Sequence, residues 1–452
     1  LTNGFVFDLS AFQPKPSFRR TAPEHQALGI KSSLRRKGMK KQLIASTVAL
    51  GAAAVLTASV VSGQENVISI GGYDGATDTA TVQELITRYV APKLQADGVT
   101  VKYVPTAEFG KAIVNQLSSG TAPDLFYLED FAAQGLISSG KILPLNGLIN
   151  TRDFLPSLNR IFSKDGKQYG VAKDFNTLVL YYNRDLFDQA KVAYPDDNDT
   201  WNEFGQKITA VQKALGSGFY GTCFPAEYSR FGAFAASTGW KPILTSGNTI
   251  LDNRFKSAFK FYTDLVKAGV AIKPSKISAG WGGDCIKSGK VATAFEGGWA
   301  LGFLRDNAPN LKYGTTLLPL DPASKKRGNL IYTVAWAINA GTKNRAAAVK
   351  VFNALTSVEA QQFILRSGLA LPSRISLQDD PYLKGDKVEQ VAFRNVFRGA
   401  SEGNAVPYAP DKYGGDWFRG IDENLNAVMD GQKTVDQAVK DAQNAINRVM
   451  GK

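Results

Sequence analysis

Val67-Ile-Ser-Ile-Gly71, Val99-Thr-Val-Lys-Tyr-Val104 and Asp124-Leu-Phe-Tyr-Leu128 are three short apolar runs separated by two helical ones. The first helical run, Thr79 to Leu94, is apolar at Val82, Leu85, Ile86, Tyr89, Val90 and Leu94; the second covers Phe109 to Leu117. That spacing is the 3.6-residue period of an amphipathic helix. Strands alternating with helices predict a mainly parallel, doubly wound α/β sheet. In such sheets ligands sit beyond the carboxyl ends of the strands. The loops after the first and third strands, Tyr73 to Gly75 and Glu129-Asp130, therefore share one edge.

Further along, Gly170 to Asn176 leads into a strand over Leu178 to Tyr182. Thr200 and Glu203 form a capping-box pair that opens a helix with Trp201 and Phe204 on its buried side. Glu227-Tyr228 opens another helix, and Phe255 to Lys267 is amphipathic. Gly289 to Phe303 reads as a buried strand, Val291 to Phe295, entering a Gly297-Gly298 turn that carries Glu296 and Trp299. Paired glycines let backbone approach whatever lies at the strand's end. A late strand spans Ile331 to Ala340 and contains Trp336; a helix follows over Arg345 to Thr356. An aromatic loop, Tyr408 to Trp417, precedes a helical region from Phe418 to Val449.

With 452 residues, 44% hydrophobic and 21% charged, the chain is globular and long enough for two domains. The net charge of +13 is concentrated at one end, because residues 1–63 hold nine Lys/Arg against Asp8 and Glu24. The remainder is modestly basic without interleaved aromatics, which argues against nucleic acid. The only histidine, His25, lies in that same region. Without it, imidazole bases and histidine metal sites are excluded, and two cysteines cannot build a four-cysteine zinc site.

Residues 1–38 show no periodicity and read as a non-native upstream extension. Met39-Lys40-Lys41, the apolar stretch Leu43 to Val61 and the small residues Val61-Ser62-Gly63 have the three parts of a secretory signal peptide over 39–63. No cysteine stands at the cleavage site, so a lipoprotein is not expected. Export places Cys223 and Cys285 in an oxidising compartment, where a structural disulfide is expected. The sequence does not say whether the sulfurs meet.

The separated motifs then converge. Gly170-Val171, Leu180 to Phe187, Pro195 and Thr200 to Phe204 resemble the signature of extracellular solute-binding proteins of carbohydrate ABC importers, the group containing maltose-binding protein. The stretch from Gly289 to Trp299 resembles that family's Gly-x-x-Ala-Met…Gly-x-Trp motif, with Thr293-Ala294 where Ala-Met is usual. Asp124 to Leu128, Gly140 to Leu145, Ala337 to Asn344 and Gly431 to Asp441 match in the expected order. The resemblance covers residues 66–450. It implies a type II periplasmic binding-protein fold: two doubly wound lobes joined by hinge crossovers, with the ligand between them. The implied N-terminal lobe is 64–173 plus 336–380, and the C-terminal lobe 174–335 plus 381–452. Crossovers fall near Ala172 to Thr177, Ile331 to Trp336 and Asp379 to Lys384.

By the same resemblance, the ligand-binding residues are Asp130 on the first lobe, Asn176 with Asp174 at the hinge, and Tyr228, Trp299, Trp417 and Phe418 on the second. Tyr73 and Asp74 occupy a loop where the family commonly contacts sugar. Trp240, Trp281 and Trp336 join the candidates because they lie near predicted loops or strand ends, and Glu296 and Gly298 because they form the Trp299 turn. The resemblance assigns Glu296 no role. A sugar offers C–H faces to aromatic rings and a hydroxyl rim to acceptors and amides, and five candidate tryptophan platforms favour a di- or oligosaccharide of maltose or trehalose type. The expected protein is a monomeric periplasmic sugar receptor that works with ABC permease subunits, with no catalytic residues, metal or cofactor. The alternatives are a secreted carboxylate-dependent glycoside hydrolase, which would need two carboxyl groups at a defined separation, and a receptor of the same fold for a non-sugar solute.

Overall fold

The computed structural model describes residues 66–244, 246–409 and 413–452. The signal-peptide and upstream-extension readings lie outside those residues.

The opening run folds as expected: β1 (Asn66–Tyr73), β2 (Val99–Thr106) and β3 (Leu125–Glu129) are parallel, with β1 in the middle. Ile68 and Ile70 of β1 are fully buried, so the period-two pattern points them into the core. Between β1 and β2 the chain is helical from Ala76 to Leu94. It widens to a π turn over Ile86–Val90 just before Pro92, whose missing N–H cannot continue the regular ladder.

After a small hairpin, β4 (Ser163–Lys164) with β5 (Lys167–Gln168), come β6 (Gly170–Thr177) and β7 (Val179–Asn183). Every residue of both is buried. Only Leu178 separates them, yet β6 belongs to the first sheet and β7 to a second. The second sheet runs β11 (Tyr313–Thr316), β7, β10 (Val291–Glu296), β8 (Tyr220–Cys223), β9 (Ala271–Ile272). The eleven-residue β12 (Gly328–Ile338) returns antiparallel to both β6 and β3, and its first residues pair in parallel with β13 (Asn404–Pro407). Both sheets are therefore mixed rather than mainly parallel, because β12 and β7 each run against their neighbours.

The crossing point is fastened by side chains. Asn329 accepts the Leu178 N–H at 2.9 Å and donates to its carbonyl at 2.8 Å. Thr177 donates to the Val396 carbonyl of the helix Val388–Ser401, which lies across the crossing. Gly328 has no room for a side chain, since a Cβ would stand 2.2 Å from the Ala233 carbonyl oxygen and the Ser237 nitrogen.

The Thr200–Glu203 capping box forms, and Trp201 and Phe204 are buried beneath it. The C-terminal region is two helices, Gly414–Met429 and Val435–Val449, and not one. Gly431, at φ 73°, breaks the run, and a second capping box, Thr434 with Gln437, restarts it. Cys223 and Cys285 are bonded, with Cα atoms 6.3 Å apart, tying the end of β8 to the helix Gly282–Lys287. Two large cores result, one under each sheet, and Trp299 packs against both.

Candidate functional site

The strand β10 delivers Glu296 at its carboxyl end, the turn Gly297-Gly298 reverses the chain, and the helix Trp299–Asn307 starts at once. The turn is held from two sides. Tyr181 donates its hydroxyl to the Gly297 carbonyl at 2.9 Å, and the Gly298 N–H donates to Asn176 Oδ1 at 2.9 Å. Neither glycine leaves room for a side chain without moving a neighbour. A Cβ on Gly297 would stand 2.5 Å from the Trp299 ring, and one on Gly298 would stand 2.7 Å from Phe393 and 2.8 Å from Asn176 Oδ1. Asn176 thus links the crossover strand β6 to the turn.

Glu296 is 1% exposed and uses both oxygens. Arg230 donates from Nε to Oε1 at 3.2 Å and from Nη2 to Oε2 at 2.6 Å, a two-point pair. The Trp299 indole N–H donates to the same Oε2 at 2.8 Å. The Arg230 guanidinium carbon lies 5.6 Å from the centre of the Trp299 ring. Burial alone would pull the Arg230 pKa down, but Glu296 more than reverses this and the guanidinium stays charged.

From Trp299 a path of rings runs across the second sheet's side of the molecule. Tyr332 meets Trp299 edge-on at 5.2 Å, Tyr408 lies 5.0 Å from Tyr332, and Phe418 stacks 5.2 Å from Tyr408. Tyr228 stacks 6.0 Å from Phe418. Tyr332 donates to the Ser229 carbonyl, whereas the fully buried Tyr228 hydroxyl has no partner among the described residues.

The first sheet contributes acids. Tyr73, at the end of β1, donates to Glu129 Oε1 at 2.8 Å; Glu129 Oε2 has no partner among the described residues. Asp130 is 6% exposed and accepts from its neighbour Phe131 N–H at 2.7 Å, while its Oδ2 has no partner among the described residues. Burial pushes Asp130 up to about 7, the Phe131 amide opposing it and Glu129 adding to it. Its charge reaches the ring path: burial first, then Tyr332 and Asp130, push the Tyr408 phenol up. Lys173 is the extra residue of a β-bulge, since β12 pairs with Asp174 and then with Ala172. It pairs with Asp174 and lies 4.8 Å over the Tyr127 ring.

Of the residues singled out from sequence, Asn176, Glu296, Gly298, Trp299, Tyr228 and Phe418 come together around the turn and ring path, and Tyr73, Asp130 and Asp174 gather at the strand ends of the first sheet. Asp74 is exposed beside them. Trp281 borders the turn, its ring folded against Phe303 at 4.8 Å. Three tryptophans are not brought to this surface. Trp240 and Trp417 are core residues, 2% and 0% exposed, with indole N–H groups satisfied by the Ile250 carbonyl and by Thr249 Oγ1. Trp336 is 2% exposed and packs on Tyr127, its cross-strand partner. A position near a strand end does not distinguish inward from outward. Tyr332, Tyr408, Lys173 and Glu129 were not among the sequence candidates. The register of β12 against Asn176 points to Tyr332, but the two strands are 151 or more residues apart and that register is invisible in the chain.

A family model described as bacterial extracellular solute-binding protein matches residues 88–389. The chain belongs to that family. This solute-binding protein is 26% identical over 279 residues to a binding-protein relative from Brucella abortus, a match covering 57% of the chain and 64% of the relative's length. It is 25% identical over 348 residues to the mannitol-binding protein of Pseudomonas aeruginosa, covering 69% and 77%. Among solved structures it superposes on the GacH receptor of Streptomyces glaucescens, solved unliganded and with acarbose, with a TM-score of 0.75 at 22% identity over 85% of this chain and 98% of the receptor. The solute-binding protein thus has the two-lobed type II fold, and its relatives are binding proteins, not enzymes. The family is extracellular, and among the described residues no helix is long and apolar enough to cross a membrane.

Proposed function

We propose that this protein is the exported receptor of an ABC importer and captures a di- or oligosaccharide of maltose or trehalose type, by closure of two lobes, for delivery to a membrane permease. The lobes in this reading are 64–173 plus 336–380 and 174–335 plus 381–452, with boundaries that fall inside β6 and β12, two strands of the first sheet. One observation carries it. Buried hydrogen-bonding atoms without a partner among the described residues, the Tyr228 hydroxyl and Asp130 Oδ2, accompany a run of ring surface from Trp299 to Phe418. Unpaired buried polar atoms cost stability, and a hydroxyl-rich ligand with flat C–H faces satisfies the atoms and covers the rings together. Contacts made to both lobes only when closed shift the hinge equilibrium by the ligand's differential affinity.

The mannitol-binding relative favours a second reading, a linear polyol, which has the hydroxyls but no ring face. Titration calorimetry with maltose, trehalose, maltotriose and mannitol separates the two. Saturable binding of a disaccharide, weakened at least tenfold in Trp299→Ala with an unchanged circular dichroism spectrum, is the expected result. Preferential mannitol binding that is indifferent to Trp299→Ala would replace it with the polyol reading.

A further inference from the structure

The Arg230–Glu296 pair sits in an unusual place for two charges. The Glu296 side chain is 1% exposed and that of Arg230 12% exposed, directly against the Trp299 ring that the proposed function uses as a platform. Gly282 makes the space: a Cβ there would stand 2.3 Å from Glu296 Oε1. Burying an ion pair is seldom the best way to gain stability, because desolvation offsets most of the attraction. An apolar pair would fill the same volume. What it could not do is hold the indole N–H by a charge-assisted bond while leaving the wall of the site electrically neutral.

We propose that this pair is the charge filter of the site: joined, it positions Trp299 and shows the ligand no net charge, so the ligand class is uncharged sugar, and sugar phosphates and uronates are rejected. The inference rests on the sugar reading above. The other cation of the cluster, Lys173, is likewise neutralised by Asp174. With both cations paired, and Glu129 and Asp130 without a cation partner among the described residues, any uncompensated charge here is acidic and none is positive to receive an anion. Each member of the pair is then a latent ion site. With Glu296 neutral, Arg230 stands free beside the ring with donors that fit a phosphate or carboxylate. With Arg230 neutral, Glu296 stands free and attracts a cation, which the ring face also favours.

Glu296→Gln is the test, since the amide oxygen still accepts the Trp299 indole N–H while the charge is removed. Arg230→Gln is made alongside it, because either change leaves a buried charge unpaired and one variant can fail to fold. Each is titrated with the sugar that the wild type binds, with the monophosphate of that sugar, and with its amino-deoxy analogue. In the wild type the phosphate should bind at least a hundredfold more weakly than the parent sugar. Glu296→Gln should raise the affinity for the phosphate at least tenfold, and Arg230→Gln should do the same for the amino analogue. Wild-type ratios kept by whichever variant folds would overturn the filter while leaving the sugar reading intact. A wild type that binds no sugar would overturn the sugar reading, and inorganic phosphate then decides the filter. Millimolar phosphate should raise the melting temperature of Glu296→Gln and not that of the wild type; equal responses refute the proposal.

Discussion

Asp130 shows how one residue can carry both a cost and a use. Its carboxyl is pushed up to about 7 chiefly by burial, so the folded protein holds a proton there that the unfolded chain releases near pH 4. Asp422, which accepts the Tyr228 N–H at 2.5 Å, is also pushed up to about 7 by burial. For an acid raised on folding, the folded state binds more protons between the two pKa values, so stability falls as pH rises from about 4 to 7 and levels off above. Asp130→Asn should flatten that slope in melts of the ligand-free protein followed from pH 4 to 8. A slope identical to wild type would show that Asp130 ionises without penalty. The sequence marked Asp130 as a strand-end acid; that its Oδ2 is buried without a partner among the described residues became visible only once the helix Asp130–Ser138 was folded against β12.

Among the elements, the segment from Trp281 to Trp299 is braced at both ends. The disulfide joins the helix Gly282–Lys287 to β8, and β10 is inserted between β8 and β7. The two cysteines are 62 residues apart, and closing a loop of that size in the unfolded chain is worth about 4 kcal/mol in the chain-entropy model. Cys223→Ser with Cys285→Ser should lower unfolding stability by about 2–4 kcal/mol in urea. Reducing agent should shift the wild-type midpoint the same way and leave the double variant unmoved. Both cysteines were visible in the sequence, but their proximity depends on β8 and β10 being parallel neighbours, a pairing across about 70 residues that no local pattern encodes.

At the scale of the whole molecule, the two sheets are joined at the crossing of β6 into β7 and at β12, and Asn329 ties these to each other through the backbone of Leu178. Asn329→Ala leaves a buried N–H and C=O without that partner, at a cost of about 1–3 kcal/mol. The denaturant midpoint should fall accordingly. Thr77, in the helix after β1, donates to Asp306 Oδ2 in the helix after β10 at 3.2 Å. Small-angle scattering with and without the bound sugar should report a smaller radius of gyration in the bound protein. An unchanged radius would mean that binding does not move the lobes.

Taken alone, the sequence determined the alternation of strands and helices, the Thr200–Glu203 capping box, the paired glycines before Trp299 and the family to which these motifs belong. All of these are local, set by side-chain periodicity and backbone sterics within a few residues. Only the tertiary structure decided which aromatics face the site. Trp240, Trp336 and Trp417 are core residues, while Trp299 lies between two cores, and their neighbours in sequence do not differ enough to show it. It also decided the partner of Glu296, because Arg230 stands 66 positions away, on the helix Tyr228–Ser237 that packs on β12. Burial and pairing are properties of surfaces brought together, and a linear chain records only the pieces.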